Sequence, residues 1–297
     1  MATGSRAAWI AGLLASGWRI PWVLIGHGSE FGLRTGWQAR LMRLSGNRAD
    51  AVISVSQYTQ RAMQNLGITK PVGYVIHNGA DGNQFTQQPE TEVEEFRQQK
   101  NVKDHFVLLT VGNVSNRKGQ EVVIRALPGI LVSFPHVVYW MAGLPQNQEK
   151  LESLARDLGV SDHIRFWGKV SARTLVRLYN ACDLFLMTSR QLADGDFEGY
   201  GIAVIEAALC GKTAVVSDNS GLAEAVEDGV TGLLVPQNDP QQTAQAVLRL
   251  INNPTKRQEL AQQAYKNAIA HQTWQKVGAR YVAVFEEILA RANEGQT

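Results

Sequence analysis

The sequence is poor in cysteine. It has only Cys182 and Cys210, in the apolar settings "NACDLFL" and "AALCGK", with no metal-ligand spacing. That excludes a disulfide-stapled secreted scaffold and a cysteine zinc site, and it suits a reducing cytoplasm. A long apolar run is missing as well. The opening stretch "AAWIAGLLASGW" meets Arg19 and Pro21 after about a dozen residues, short of the roughly 20 that cross a bilayer. A signal peptide is poorly served too, because Arg6 is the only early positive charge and no small-residue cleavage site is clear. The stretch reads as a helix packed on a sheet, with interfacial membrane contact as an alternative. Charge of one sign is also absent: a net charge of +2 gives no broad basic field for nucleic acid.

What is present is ordinary for a globular protein, with 44% hydrophobic and 19% charged residues. A chain of 297 residues is long enough for two domains. Apolar runs of strand length recur at 22–26, 51–55, 73–77, 106–111, 137–142, 164–168, 183–187, 213–217 and 232–235, mostly separated by segments of helical spacing. Strands without a polar face, alternating with helices, predict parallel sheets covered on both sides and an α/β, doubly wound class. Helix starts are marked by Asp239 before Pro240 and by Asn253 before Pro254. The polar, Gln-rich interval 86–105 holds no strand-like run and predicts a junction between domains. The expected organisation is a partial first domain over 1–95, a complete Rossmann-like domain over 96–272 and a closing helix over 273–297.

Two segments suggest chemistry. In "VLLTVGNVSNRKGQEVVIRAL" a buried strand ends at Gly112, and Arg117, Lys118 and Gly119 precede a helix beginning near Gln120. Free N–H groups, a helix dipole and two cations suit a phosphate group. The glycine spacing matches neither a Walker loop nor the dinucleotide fingerprint, and the segment equally suits a solvated basic turn. In "DFEGYGIAVIEAALCGK", Glu198 stands beside glycines, and Glu206 interrupts an apolar helix eight positions later. A buried carboxylate needs a hydrogen-bonding partner. Beyond the carboxyl ends of parallel strands, that partner can be a pair of neighbouring hydroxyls, as on a ribose. A glutamate pair half exposed at a helix start is the plainer alternative. His27 ends the apolar run "WVLIG" and, on its own, fits a structural histidine; His77, His105, His136, His163 and His271 show no metal-ligand spacing and read as structural.

From Val107 to Val235 the chain resembles the nucleotide-sugar-binding domain of the family 4 glycosyltransferases. The family's Glu, seven residues, Glu motif is met by Glu198 and Glu206, and "NSGLAEAVEDGVTGLLV" is similar to the segment that follows it. Upstream, "IPWVLIGHGSEF", "RADAVISVSQYTQRAMQNLGI" and "YVIHNGADGNQF" resemble the family's acceptor domain, and "TWQKVGARYVAVFEEIL" resembles its closing helix. The resemblance implies two Rossmann-like domains in the GT-B arrangement and transfer of a sugar, with retention and without a metal or other cofactor, from a nucleoside diphosphate sugar. The acceptor would be a glycan or lipid-linked molecule of surface polysaccharide or glycolipid synthesis, reached from the cytoplasm or the inner face of a membrane.

The same resemblance assigns roles. Lys118 would bind the diphosphate, Glu198 the transferred sugar, and Glu206 the ribose. Backbone N–H groups of Gly199, Tyr200 and Gly201 would support sugar and phosphate, Gly168 to Val170 would lie near the base, and His27 would reach the sugar or acceptor. Where the family commonly has Arg after the strand glycine this chain has Asn113, which leaves the second cation to Arg117. About three strand–helix units, roughly 100 residues, stand before this point in the family and not here. That predicts an incomplete first sheet, with room for a partner chain. It also carries a second reading, a nucleotide-sugar-binding module with no activity of its own. A dinucleotide oxidoreductase fits the class but lacks its glycine fingerprint.

Overall fold

The computed structural model describes residues 1–18, 21–32 and 36–294. The first part of the chain runs β1 (Ala2–Thr3), α1 (Ser5–Trp18), β2 (Val23–Gly26), α2 (Gly36–Gly46), β3 (Ala51–Ser54), α3 (Gln57–Asn65), β4 (Val72–Val75) and α4 (Glu90–Gln99). Next come β5 (Phe106–Val111), α5 (Gln120–Ser133), β6 (Val137–Ala142), α6 (Gln148–Asp157), β7 (Ile164–Gly168), α7 (Ala172–Ala181) and β8 (Leu184–Met187). The chain closes with α8 (Ile202–Leu209), β9 (Ala214–Ser217), β10 (Gly232–Val235), α9 (Pro240–Ile251), α10 (Pro254–His271) and α11 (Trp274–Glu294).

The nine apolar runs all form strands, within a residue or two of the expected bounds. Two parallel sheets result: four strands in the order β1-β2-β3-β4, and six in the order β10-β9-β8-β5-β6-β7. The two-residue β1 went unforeseen, because Ala2 and Thr3 are too few to show a pattern. In the larger sheet the strands are apolar on both faces because helices cover both. From β5, Val107 and Leu109 pack with Trp140 on one face, while Phe106 and Leu108 pack with Tyr139 on the other. Buried Thr110 is satisfied: it donates to the Leu186 carbonyl at 2.7 Å and accepts from the Tyr139 hydroxyl at 2.8 Å.

The helix ends follow the local sequence. Asp239 accepts from Gln242 N and Asn253 from Lys256 N, each with proline in the first turn. After α10, Thr273 bridges to Ala80, and α11 lays Val277 and Ile288 against Val23, Ile25 and Ile53 of the smaller sheet. Among the described residues no helix is long and apolar enough to cross a membrane.

Strand order reverses between β5 and β8. From β5 the chain winds outward through β6 and β7, and from β8 through β9 and β10 on the other side. In a doubly wound sheet this is where connecting loops diverge and leave a crevice at the strands' carboxyl ends.

Candidate active site

The loops leaving β5 and β8 meet at that crevice, and glycine makes the meeting possible. Gly119, at φ +69°, caps α5 without a side chain, and a Cβ there would overlap the Thr188 carbonyl. Gly112 has φ +139°, and a Cβ on it would stand 3.0 Å from Lys118 Cε, so the lysine stem folds back over the end of β5. Arg190, just after β8, shapes the same loop: its backbone N–H donates to the Arg117 carbonyl at 2.8 Å and its Nε to the Asn116 carbonyl at 2.7 Å. Sequence reasoning missed Arg190, since nothing local ties it to residues more than seventy positions earlier.

The cations of the β5 loop reach Glu198. Lys118 Nζ donates to Glu198 Oε2 at 2.7 Å, Arg117 Nη1 to the same oxygen at 2.5 Å, and Arg117 Nε lies 3.1 Å from Asp196. Burial pushes the Glu198 carboxyl toward a higher pKa, but the Lys118 and Arg117 charges outweigh it and hold the group below its ordinary value. Among the described residues Glu198 Oε1 accepts no hydrogen bond, and the ammonium uses one of its three donors on Glu198. The cluster thus keeps donors and an acceptor for a ligand.

Glu206, in the second turn of α8, accepts a hydrogen bond at 2.6 Å from the hydroxyl of Tyr179 on α7. Tyr179 is fully buried, whereas Glu206 is half-buried. Burial raises the Glu206 pKa, and the Tyr179 hydrogen bond and the Lys118 charge only partly offset it. One phenol therefore answers part of the carboxylate's need, on Oε2, and among the described residues Oε1 takes no donor. The Lys118 charge lowers the pKa of Glu198 most strongly and that of Glu206 to a smaller extent. At the head of α8, Gly201 (φ +87°) makes no side-chain hydrogen bond to the first-turn N–H groups.

Gly199 makes a close backbone approach of its own. A Cβ on Gly199 would overlap the His27 carbonyl oxygen, and one on Gly28 would lie 2.9 Å from Gly199 Cα. The glycine lets the backbones of the two sheets' loops touch. His27 itself is exposed just past β2, with its N–H donating to Glu30 at 2.7 Å. The Tyr200 side chain is buried, accepts at its hydroxyl from Gln272 Nε2 at 2.9 Å, and stacks on His77 at 4.7 Å, which suits a role expected of its backbone N–H alone. Only its main chain is left for a ligand. Asn113 is exposed; Gly168 (φ +62°) has open space where a Cβ would stand, and half-buried Val170, just past β7, packs against the core.

A second linkage was invisible in the sequence. Glu224 accepts from the backbone N–H groups of Gln57 and Tyr58 at 2.8 and 2.7 Å, capping α3 from across the chain, and lies 3.3 Å from His77 Nε2. His77, expected to be only structural, thus joins the two sheets' loops.

The sequence model of the glycosyl transferases group 1 matches residues 92–267, and that of glycosyltransferase family 4 matches residues 2–84. A GDP-mannose-dependent alpha-(1-6)-phosphatidylinositol monomannoside mannosyltransferase of Mycolicibacterium smegmatis is 31% identical over 86% of this chain and 67% of its own length. A D-inositol 3-phosphate glycosyltransferase of Corynebacterium jeikeium is 26% identical over 97% of this chain and 73% of its own. Among solved structures, Anabaena HepE in complex with UDP superposes with a TM-score of 0.86 at 26% identity, covering 95% of this chain and 77% of that one. HepE has also been solved with UDP-glucose. With two parallel sheets, a crevice carrying the Glu198–Glu206 motif and matches to both halves, the chain belongs to the family 4 glycosyltransferases of the GT-B fold and is a glycosyltransferase.

Proposed function

We propose that this chain transfers a hexosyl unit, with retention and without a metal ion, from a nucleoside diphosphate sugar to a phosphate-bearing cyclitol or glycolipid. GDP-mannose is the first donor to test, because a relative at 31% identity is named for it; UDP-glucose is the rival, from its complex with HepE. The observation that carries the reading is the Lys118–Glu198 ion pair at 2.7 Å beside the head of α8, the helix that carries Glu206 in its second turn. A ribose diol would bond Glu206 and a diphosphate would take the free donors of Lys118 and the α8 N-terminus. The transferred sugar would reach Glu198 Oε1. The anomeric bond to the diphosphate breaks as the acceptor oxygen attaches, and Lys118 stabilises the charge that develops on the departing oxygen. Asn113 leaves Lys118 and Arg117 as the cations of this loop. His27 faces sugar or acceptor across the crevice, and contact with a membrane surface delivers a lipid-borne acceptor.

The test is transfer by the purified protein. With GDP-mannose or UDP-glucose, plus D-inositol 3-phosphate or vesicles containing phosphatidylinositol, product should form with the donor's anomeric configuration by NMR and persist in chelator. Inversion, or a requirement for added divalent metal, would count against it. A second reading is a nucleotide-sugar-binding module that performs no transfer on its own. Nucleotide binding with neither transfer nor donor hydrolysis would select that one.

A further inference from the structure

A cavity of about 560 Å³ opens between α2, α3 and the loop that follows β8. Phe31, Arg43, Tyr58, Arg61, Gln191 and Phe197 line it, so both halves of the chain contribute. Phe197 immediately precedes Glu198 and Phe31 follows His27 by four residues, so the cavity shares its walls with the segments that carry the reacting groups.

The charge in this cavity is one-sided. Among the described residues no carboxylate lines it, and neither Arg43 nor Arg61 pairs with one. Among the described residues, the arginines of the loops leaving β5 and β8 are committed: Arg117 to Glu198 and Asp196, Arg190 to Glu121. The walls are also held in place. The Tyr58 hydroxyl bonds Gln191 at 3.2 Å, its ring meets Phe197 edge-on at 5.0 Å, and its backbone N–H is fixed by Glu224. Arg61 lies 5.9 Å from the Tyr58 ring centroid. A Cβ on Gly67 would stand 2.7 Å from Arg43 Cδ, so glycine there makes room for the arginine stem.

We infer that this cavity is a subsite for a phosphate ester, with Arg43 and Arg61 taking the phosphate oxygens and the aromatic walls taking the apolar face of a sugar or cyclitol ring. Two guanidinium forks match a phosphate's several acceptor oxygens, which a single lysine would not. The volume accommodates a phosphorylated ring. The inference rests on the transferase reading, since the phosphate ester is then the acceptor, anchored beside the crevice while its hydroxyl faces the donor sugar.

Direct titration of the full chain tests it, with D-inositol 3-phosphate, myo-inositol and inorganic phosphate as probes and affinity for GDP measured separately. The inositol phosphate should bind at least about tenfold more tightly than inositol, and more weakly as salt rises. Arg43→Ala and Arg61→Ala should each weaken it by about tenfold, the scale of one charge-assisted hydrogen bond, with GDP affinity unchanged. Competition by phosphatidylinositol vesicles assigns the phosphate to a lipid headgroup, and lack of competition to a soluble ester; both sustain the subsite. Equal binding of inositol and its phosphate, or a double Arg variant that binds like the native protein, overturns it. Failure to bind any nucleotide would count against the transferase reading and leaves the phosphate titration to judge the cavity.

Discussion

The Tyr179 hydroxyl donates to Glu206 Oε2 at 2.6 Å, joining α7 to α8 beneath the crevice. That bond explains how an apolar helix keeps a carboxylate: a phenol satisfies one oxygen, and the other stays available. Burial still raises the Glu206 pKa, so the ionised form is held at a cost to the unliganded protein.

Glu206→Gln should therefore stabilise the free protein at neutral pH and weaken nucleotide binding. A carboxyl whose folded pKa is raised lowers stability once ionised, and stability recovers as pH falls through the raised pKa. The glutamine removes that term while its oxygen still accepts from Tyr179. Thermal unfolding should show a higher Tm than the native protein at pH 7, and the gap should shrink toward pH 4.

Tyr179→Phe should act in the opposite sense. Without the phenol the Glu206 pKa rises further, so loss of nucleotide affinity on acidification moves to higher pH. At neutral pH the affinity should fall by roughly threefold to tenfold, less than a full hydrogen bond to a charged group because the free protein already makes that bond. A merely structural tyrosine would lower Tm and leave the pH profile in place.

Lys118→Met should lower kcat far more than donor affinity, by about a hundredfold or more, if the ammonium stabilises charge on the leaving diphosphate. It should also cost acid resistance. Glu198 holds a pKa below its ordinary value of 4.5, so its contribution is full above that value and lost as pH falls through the lowered pKa. Removing Lys118 moves that loss to higher pH, which acid titration followed by fluorescence would read.

The clamp at Glu224 should be worth about 1–3 kcal/mol, the scale of leaving two backbone donors unmet at a helix start. Burial raises the Glu224 pKa, but the His77 contact and the Gln57 and Tyr58 N–H groups bring it below 4.5. The clamp is at full strength above that value and fails as pH falls through the lowered pKa. Glu224→Ala should lower stability at pH 7 and narrow its difference from the native protein in acid.

Gly199→Ala should separate the two halves, because the new methyl would overlap the His27 carbonyl oxygen. A loss of about 2–3 kcal/mol is expected from such overpacking. Gly278→Ala in α11, where a Cβ meets nothing within 4 Å, should instead stabilise by up to about 1 kcal/mol.

Much of the fold was legible because strands buried on both faces read as uninterrupted apolar runs, and because Asp239 and Asn253 cap their helices within three residues. The motif glutamates were legible by spacing. Their partners were not: Tyr179 stands 27 positions from Glu206, Lys118 80 from Glu198, and Tyr58 166 from Glu224. Such pairs are fixed by the order of strands in the sheet, which no local pattern carries. Gly199 shows the same limit, since its sequence announces a close approach without saying what approaches.

The most direct measurement is calorimetric titration of GDP-mannose and UDP-glucose into the native protein and Glu206→Ala at pH 7.5. One donor should bind the native protein and lose at least about tenfold in affinity with the alanine, as hydroxyls lose an ionised acceptor. Equal affinity in the two proteins, or no binding of either nucleotide sugar, would contradict the account.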